Sequence, residues 1–281
     1  MTISPVVTQY YLQLKTNVPV PKLYGILGDI AVMKRVPGEP LAKAWASMPL
    51  SSKGEVVKQL ANIQARLLRI RLRTIGRFQW DPSLFASQPQ TPRFKVGTGI
   101  CSDLGPQKSI GGLFKTLIGS LSEKLNENNR TKALLSRVRS RVASIVNDKN
   151  CNHKRKGLAL EHDDLDPRNI MVDKDHVTGI LDWDGATVIP RELASPGLPW
   201  LQGTYGMSEA EEREIATLFN IYETTLERAG EGEKALKLRE ATRYDAPPGL
   251  SDLWVLLSIE KTFGWAELLV SEGKGTVFFA V

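Results

Sequence analysis

Apolar positions recur along the chain at two spacings, and each predicts a different kind of element. In SSKGEVVKQLANIQARLL (51–68), Val56, Val57, Leu60, Ile63, Leu67 and Leu68 fall on roughly one helical face, and Ser52 and Glu55 have capping-box spacing at its start. Helical spacing also predicts elements at 6–15, 111–126, 131–147, 208–228, 231–242 and 251–272, the fourth opened by a second capping box at Ser208 and Glu211. Strands read as short aliphatic runs. LYGIL follows Pro19 and Pro21, IAVMKRV reads as a second strand ending at Pro37-Gly38, and IMVD with VTGIL forms a hairpin turned by Asp173, Lys174, Asp175 and His176. Residues 78–110, rich in Pro, Gly, Ser and Gln, read as a long surface loop, and 147–157 as a solvated linker. Gly97-Thr98-Gly99 has no strand pattern before it or helix pattern after it in the sequence, so it is expected to be loop and not a phosphate cradle.

Composition narrows the class. The 281 residues are 42% hydrophobic and 24% charged, enough to bury a real core. No run approaches a membrane span and the N-terminus lacks the plan of a signal peptide, so a soluble, cytoplasmic protein is expected. Two cysteines and three scattered histidines, His153, His162 and His176, give neither a disulfide framework nor zinc spacing, so any metal here is expected on oxygen ligands.

The net charge of +6 conceals a split: residues 1–160 carry 26 Lys/Arg against 8 Asp/Glu, whereas 161–281 carry 11 against 23. A nucleic-acid surface is one reading, and two halves attracted across an anionic ligand and its cations another. Solvated basic helix faces are the plainest. Arg66, Arg69, Arg71, Arg73 and Arg77 lack the interleaved aromatics that stack on bases, which argues against nucleic acid as the partner.

The densest chemistry lies in LEHDDLDPRNIMVDKDHVTGILDWD, with eight carboxylates in the twenty-five residues from Leu160 to Asp184. Asp164 and Asn169 are five residues apart in a segment stiffened by Pro167, and Asp182 comes eighteen residues after Asp164, across the hairpin. Two carboxylates and an amide brought together supply hard oxygen ligands and a base, as magnesium plus a phosphoryl acceptor requires. Turn chemistry and solvation account for Asp166, Asp173, Asp175 and Asp184.

His162-Asp163-Asp164-Leu165-Asp166-Pro167-Arg168-Asn169-Ile170 followed by Ile180-Leu181-Asp182-Trp183 resembles the catalytic and metal-binding segments of the aminoglycoside phosphotransferase and choline-kinase-like family. The resemblance implies an α+β, protein-kinase-like fold: a mostly helical large lobe (41–281) with a β-hairpin catalytic segment, and an incomplete small β lobe (1–40). It implies ATP-dependent phosphorylation of a hydroxyl on a small polar molecule. Asp164 would orient or deprotonate that hydroxyl, Asn169 and Asp182 would hold magnesium, and His162 would buttress the loop. VPVPKLYG and IAVMKRVPGEPL resemble the strand, hinge strand and linker of the family, which implies adenine contacts at Met33, Lys34 and Val36; PRELASPGLPWL resembles the border of the acceptor site. Trp200, Tyr205, Tyr244 and Trp265 are aromatic candidates for acceptor pocket, lid or core.

Two departures qualify that pattern. The family commonly has Gly where this chain has Asp163. Residues 1–18 contain no Gly, no Glu and one lysine, Lys15, so the Gly-rich loop and the Lys–Glu pair that clamp phosphates are expected to be missing. The chain therefore reads as N-terminally truncated, or as a non-catalytic pseudokinase serving as a binding or scaffold module.

Overall fold

The computed structural model describes residues 4–27, 30–79, 94–97, 106–109, 157–191, 197–201 and 207–232, with short stretches and single positions between 111 and 143 and at 194. Its elements in chain order are α1 (Ser4–Lys15), β1 (Leu23–Leu27), β2 (Ile30–Met33), β3 (Glu39–Pro40), α2 (Leu41–Ala44), α3 (Leu50–Leu67), β4 (Arg77–Gln79), β5 (Lys95–Gly97), β6 (Leu158–Glu161), β7 (Ile170–Asp173), β8 (His176–Ile180), β9 (Thr187–Pro190) and α4 (Glu209–Arg228).

Helix α3 is the spine. Val56, Val57, Leu60, Ile63 and Leu67 are buried as their spacing predicts, and they share one apolar cluster with Leu218, Tyr222 and Leu226 of α4 and with Ile170, Val172, Val177 and Ile180 of the hairpin. Val7 and Leu12 of α1 join the same cluster. Gln59, one turn before Ile63, uses both ends of its amide on the β7–β8 turn: Nε2 donates to the Asp175 carbonyl at 2.7 Å and Oε1 accepts from the Val177 N–H at 3.0 Å. The helix thus fixes the hairpin by a packed face and by a polar pin.

The sheets are small. β1 pairs with β2, β3 with β7 and β7 with β8, β4 with β5, and β6 with β9, all antiparallel. The turn expected at 173–176 is present, with Lys174 in the left-handed region at φ 56°. Gly38 sits at φ 89° where β3 meets β7, and a Cβ there would lie 2.0 Å from the Val172 carbonyl oxygen, so this crossing admits only glycine.

Two expectations need correction. Ser52 does not cap α3: the helix starts at Leu50 behind Pro49, whose carbonyl accepts from the Lys53 N–H at 3.0 Å, and no side chain caps that end. The residues 78–110 are not wholly loop, because Arg77–Gln79 and Lys95–Gly97 pair as β4 and β5. Aromatic packing explains it: Phe78 is fully buried, with ring centroids 4.5 Å from Tyr11, and Phe94 meets Tyr11 edge-on at 5.0 Å. The described positions between 111 and 119 are helical, as the spacing predicts. The apolar face expected for 131–147, the linker, the expected helix 231–242 beyond residue 232 and the helix at 251–272 lie outside the described residues.

Helix α4 ends in a charged clasp. Glu231, 2% exposed, accepts from Arg69 Nε at 2.9 Å through one oxygen and pairs with Arg191 through the other. Two guanidiniums offset the desolvation that a buried carboxylate would otherwise suffer.

At Ser208 the capping box is complete: the Glu211 N–H donates to Ser208 Oγ at 3.3 Å and the Ser208 N–H to the Glu211 carboxylate at 2.8 Å. Ser208→Ala is therefore expected to cost about 1 kcal/mol. Ser52→Ala, inside a helix that it does not cap, should stay within about 0.5 kcal/mol of the parent in urea titrations.

Candidate active site

The site is assembled at the ends of β6, β7 and β8. Opposite Ile180 in the register lies Ile170, so the residues just beyond, Leu181 and Asn169, meet, and the Leu181 N–H donates to the Asn169 carbonyl at 2.8 Å. This pairing sets Asp182 one residue from a backbone contact with Asn169. From the other side, Asn169 Nδ2 donates to the Asp164 backbone carbonyl at 3.0 Å and to Asp164 Oδ2 at 3.1 Å. The two donations commit the amide nitrogen to Asp164 and leave the amide oxygen as the atom that can face a cation. Asp182 is exposed and held at φ 57°, a left-handed conformation that costs a non-glycine residue on the order of 1 kcal/mol and is concentrated at functional sites.

His162 lies beneath. It is 2% exposed, its Nε2–H donates to the Leu181 carbonyl at 2.8 Å, and its ring is 4.4 Å from that of Trp183, tilted by 59°. Because a carbonyl can only accept, this bond places the proton on Nε2. Nδ1 has no partner. Burial lowers the imidazole pKa below its ordinary value, although the Leu181 bond and the charges of Asp164, Asp182 and Asp163 oppose this. All three carboxylates thus reach one buried, neutral ring.

Asp163 explains why glycine suits its position. Its φ is 77°, and a Cβ on Gly185 would come 2.6 Å from Asp163 Oδ2, so the side chain lies directly over that glycine. Desolvation raises its carboxyl pKa, with the Arg77 cation opposing. Asp166 is structural, as expected: it accepts from the Arg168 N–H at 2.9 Å and from Arg168 Nε at 2.6 Å, capping the single turn Pro167–Asn169.

Met33 ends β2 and is exposed, as is Lys34 after it, while Val36 is half-buried and tied to β8. Val36 packs on Gly179, where a Cβ would meet Val36 Cγ1 at 2.7 Å, and Thr178 Oγ1 donates to the Pro37 carbonyl at 2.7 Å. The Lys34 N–H donates back to the Lys22 carbonyl at 2.8 Å. Residues 36–37 and Asp182 are thereby both tied to β8, Asp182 two residues past its end.

A brace unread in the sequence supports the loop. The Trp200 indole N–H donates to the Leu165 carbonyl at 3.0 Å, Trp45 meets Trp200 edge-on at 5.1 Å, and Lys53, paired with Glu214 at 2.6 Å, lies 5.2 Å from the Trp45 ring centre. Trp200 is thus a loop support, while Tyr205, Tyr244 and Trp265 lie outside the described residues. Four side chains distant in sequence make this brace, and no local spacing announces it. Among the described residues, no three His, Cys, Asp or Glu side chains cluster closely enough for a metal. The donor set at 164, 169 and 182 includes an amide, and its oxygens suit a hard cation such as magnesium. No described helix is long and apolar enough to cross a membrane.

At position 163, Gly tolerates the left-handed backbone and Ala does not, so Asp163→Gly should exceed Asp163→Ala in stability by about 1 kcal/mol in denaturant titrations. His162 has a depressed folded pKa, so its contribution to stability is present above the unfolded value of about 6.5 and falls away as pH drops toward the folded value. His162→Gln lacks that loss, and its deficit against the parent should narrow between about pH 7.5 and about pH 5.5.

Comparison with known proteins gives the family. The profile of the phosphotransferase enzyme family matches residues 7–193. No curated protein matches the chain. Among solved structures, the ternary complex of a thermostable mutant of aminoglycoside phosphotransferase APH(4)-Ia with ADP and hygromycin B is 11% identical, with a TM-score of 0.47, covering 95% of this chain and 81% of that one. The gentamicin complex of APH(2'')-IIa is 14% identical, with a TM-score of 0.43, covering 83% and 71%. Macrolide 2'-phosphotransferase MphH from Brachybacterium faecium is 13% identical, with a TM-score of 0.42, covering 96% and 79%. The mixed helix-and-strand architecture agrees with the α+β, protein-kinase-like class expected of the sequence. Because the family profile spans more than half of the chain and the whole of 162–182, this chain belongs to the phosphotransferase enzyme family.

Proposed function

We infer that the chain is an ATP-dependent phosphotransferase acting on a hydroxyl of a small polar molecule. The observation that carries this reading is the bidentate donation from the Asn169 amide to Asp164, beside the backbone contact that brings up the residue before Asp182. Asp164 orients the acceptor hydroxyl and takes its proton as the hydroxyl oxygen bonds to the γ-phosphorus and the bond to the ADP oxygen breaks. Asn169 and Asp182 would hold magnesium. When bound, that ion neutralises phosphate charge in the transfer. Met33, Lys34 and Val36 would contact the adenine, with residues 1–40 as small lobe and hinge and 41–281 as the large lobe. His162 keeps the Asp164 and Asp182 segments in register through Leu181.

A second reading, a non-catalytic nucleotide- or partner-binding module, rests on α1. That helix contains no acidic residue and its one cation, Lys15, lies exposed in the last turn, so it supplies neither half of a Lys–Glu phosphate clamp.

Purified protein incubated with Mg-ATP and a panel of amino-alcohols, sugars and aminoglycosides is expected to release ADP in an acceptor-dependent manner, and Asp164→Asn should reduce the rate at least about 100-fold. Turnover unchanged in that variant overturns the assignment of Asp164. Absence of turnover with any acceptor, together with a thermal shift on adding Mg-ATP, selects the binding module.

A further inference from the structure

A guanidinium on the Asp164 loop is held by only one of its three nitrogens. Between Leu160 and Asp184 stand eight carboxylates and two Lys or Arg residues, Lys174 in the far turn of the hairpin and Arg168 beside Asn169. Only Arg168 belongs to the loop that carries Asp164.

Asp166 fixes how that side chain stands. Its Oδ1 accepts from Arg168 Nε at 2.6 Å and from the Arg168 backbone N–H at 2.9 Å, so the guanidinium is tethered through its inner nitrogen to its own turn. Nη1 and Nη2 take no hydrogen bond among the described residues, and the side chain is 73% exposed. Arg168 and Asn169 are consecutive in the turn Pro167–Asn169, and Asn169 Nδ2 donates to Asp164 Oδ2 at 3.1 Å. Fork and base are thus mounted on one short turn. The Asp166 bond raises the guanidinium pKa and the Asp164 charge adds to the rise, which places both acids in the field of Arg168.

As an ion pair alone, an exposed contact of this kind adds little to stability. What it does is orient a planar fork of four N–H donors, the geometry that grips phosphate oxygens in pairs. Helix α1 supplies no phosphate clamp, yet phosphoryl transfer spreads charge over three equatorial oxygens that a cation must offset. Other cations are engaged elsewhere: Lys53 with Glu214, Arg69 and Arg191 with Glu231, and Arg77 against Asp163.

We propose that Arg168 is a further catalytic residue: Nη1 and Nη2 donate to the γ-phosphate of ATP, and Asp166 is the positioning residue that aims them. This rests on the phosphotransferase reading and assigns its γ-phosphate contact. Arg168 keeps its proton throughout, while the acceptor oxygen bonds to phosphorus, the ADP oxygen departs and Asp164 takes the hydroxyl proton.

Equilibrium binding of ATP and of ADP to the full chain, each with magnesium, tests it without turnover. Arg168→Gln is expected to weaken ATP about tenfold or more and to leave ADP unchanged. Arg168→Lys, which keeps the charge but loses the fork, should fall between. Both should melt with the parent, since the position is exposed and the turn is capped through a backbone N–H that any substitution retains. In acceptor-dependent ADP release, kcat should fall with Arg168→Gln about tenfold or more. A variant that weakens both nucleotides equally, or neither, overturns the proposal. So does one that raises only the KM of the acceptor, which would give the fork to an anionic group there. A parent that binds neither nucleotide overturns the phosphotransferase reading, and this inference with it.

Discussion

The register of β7 against β8 is the constraint on which the site depends. Opposing Ile170 to Ile180 leaves Asn169 and Leu181 to meet just beyond the strand ends, and the Leu181 carbonyl is then available to the His162 N–H. Slipping the pairing by one residue would turn every side chain of the strand to the other face. Buried Ile170, Val172, Val177 and Ile180 forbid that, and Gln59 pins the turn. The position of three polar groups is therefore set by four aliphatic ones.

Backbone strain is concentrated beside these groups. Of the three non-glycine residues at positive φ among the described residues, Asp163 and Asp182 lie at the candidate site and Lys174 makes the hairpin turn. Asp163 adds a desolvated carboxyl next to Asp164, and Arg77 from β4 partly offsets it. A short strand pair in a region of loop-like composition thus contributes electrostatically to the site.

How far the sequence could be read follows from the range of the interactions involved. The hairpin and the α4 cap were legible because each is local: alternation over a few residues, a polar turn, and a Ser with a Glu three positions later. The same Ser-to-Glu spacing misled at Ser52, since Pro49 had already started the helix and put Ser52 in its first turn. β4 and β5 escaped notice because three-residue strands carry almost no periodicity, and their partners are sixteen or more residues away around Tyr11, Phe78 and Phe94. The joining of Asp164 with Asn169 was readable from their spacing around Pro167. The Trp200–Trp45–Lys53–Glu214 brace was not, being built entirely from distant contacts.

The clasp at Glu231 bears on the charge split between the two halves of the chain. Exposed cations and anions attract weakly and lose that attraction in brine, because mobile ions cluster around each. A carboxylate sealed from solvent and gripped by Arg69 from the basic half and Arg191 from the acidic half is beyond the reach of those ions. The halves of this protein are thus fastened at a point where salinity has little purchase, whatever becomes of the charges on its surface.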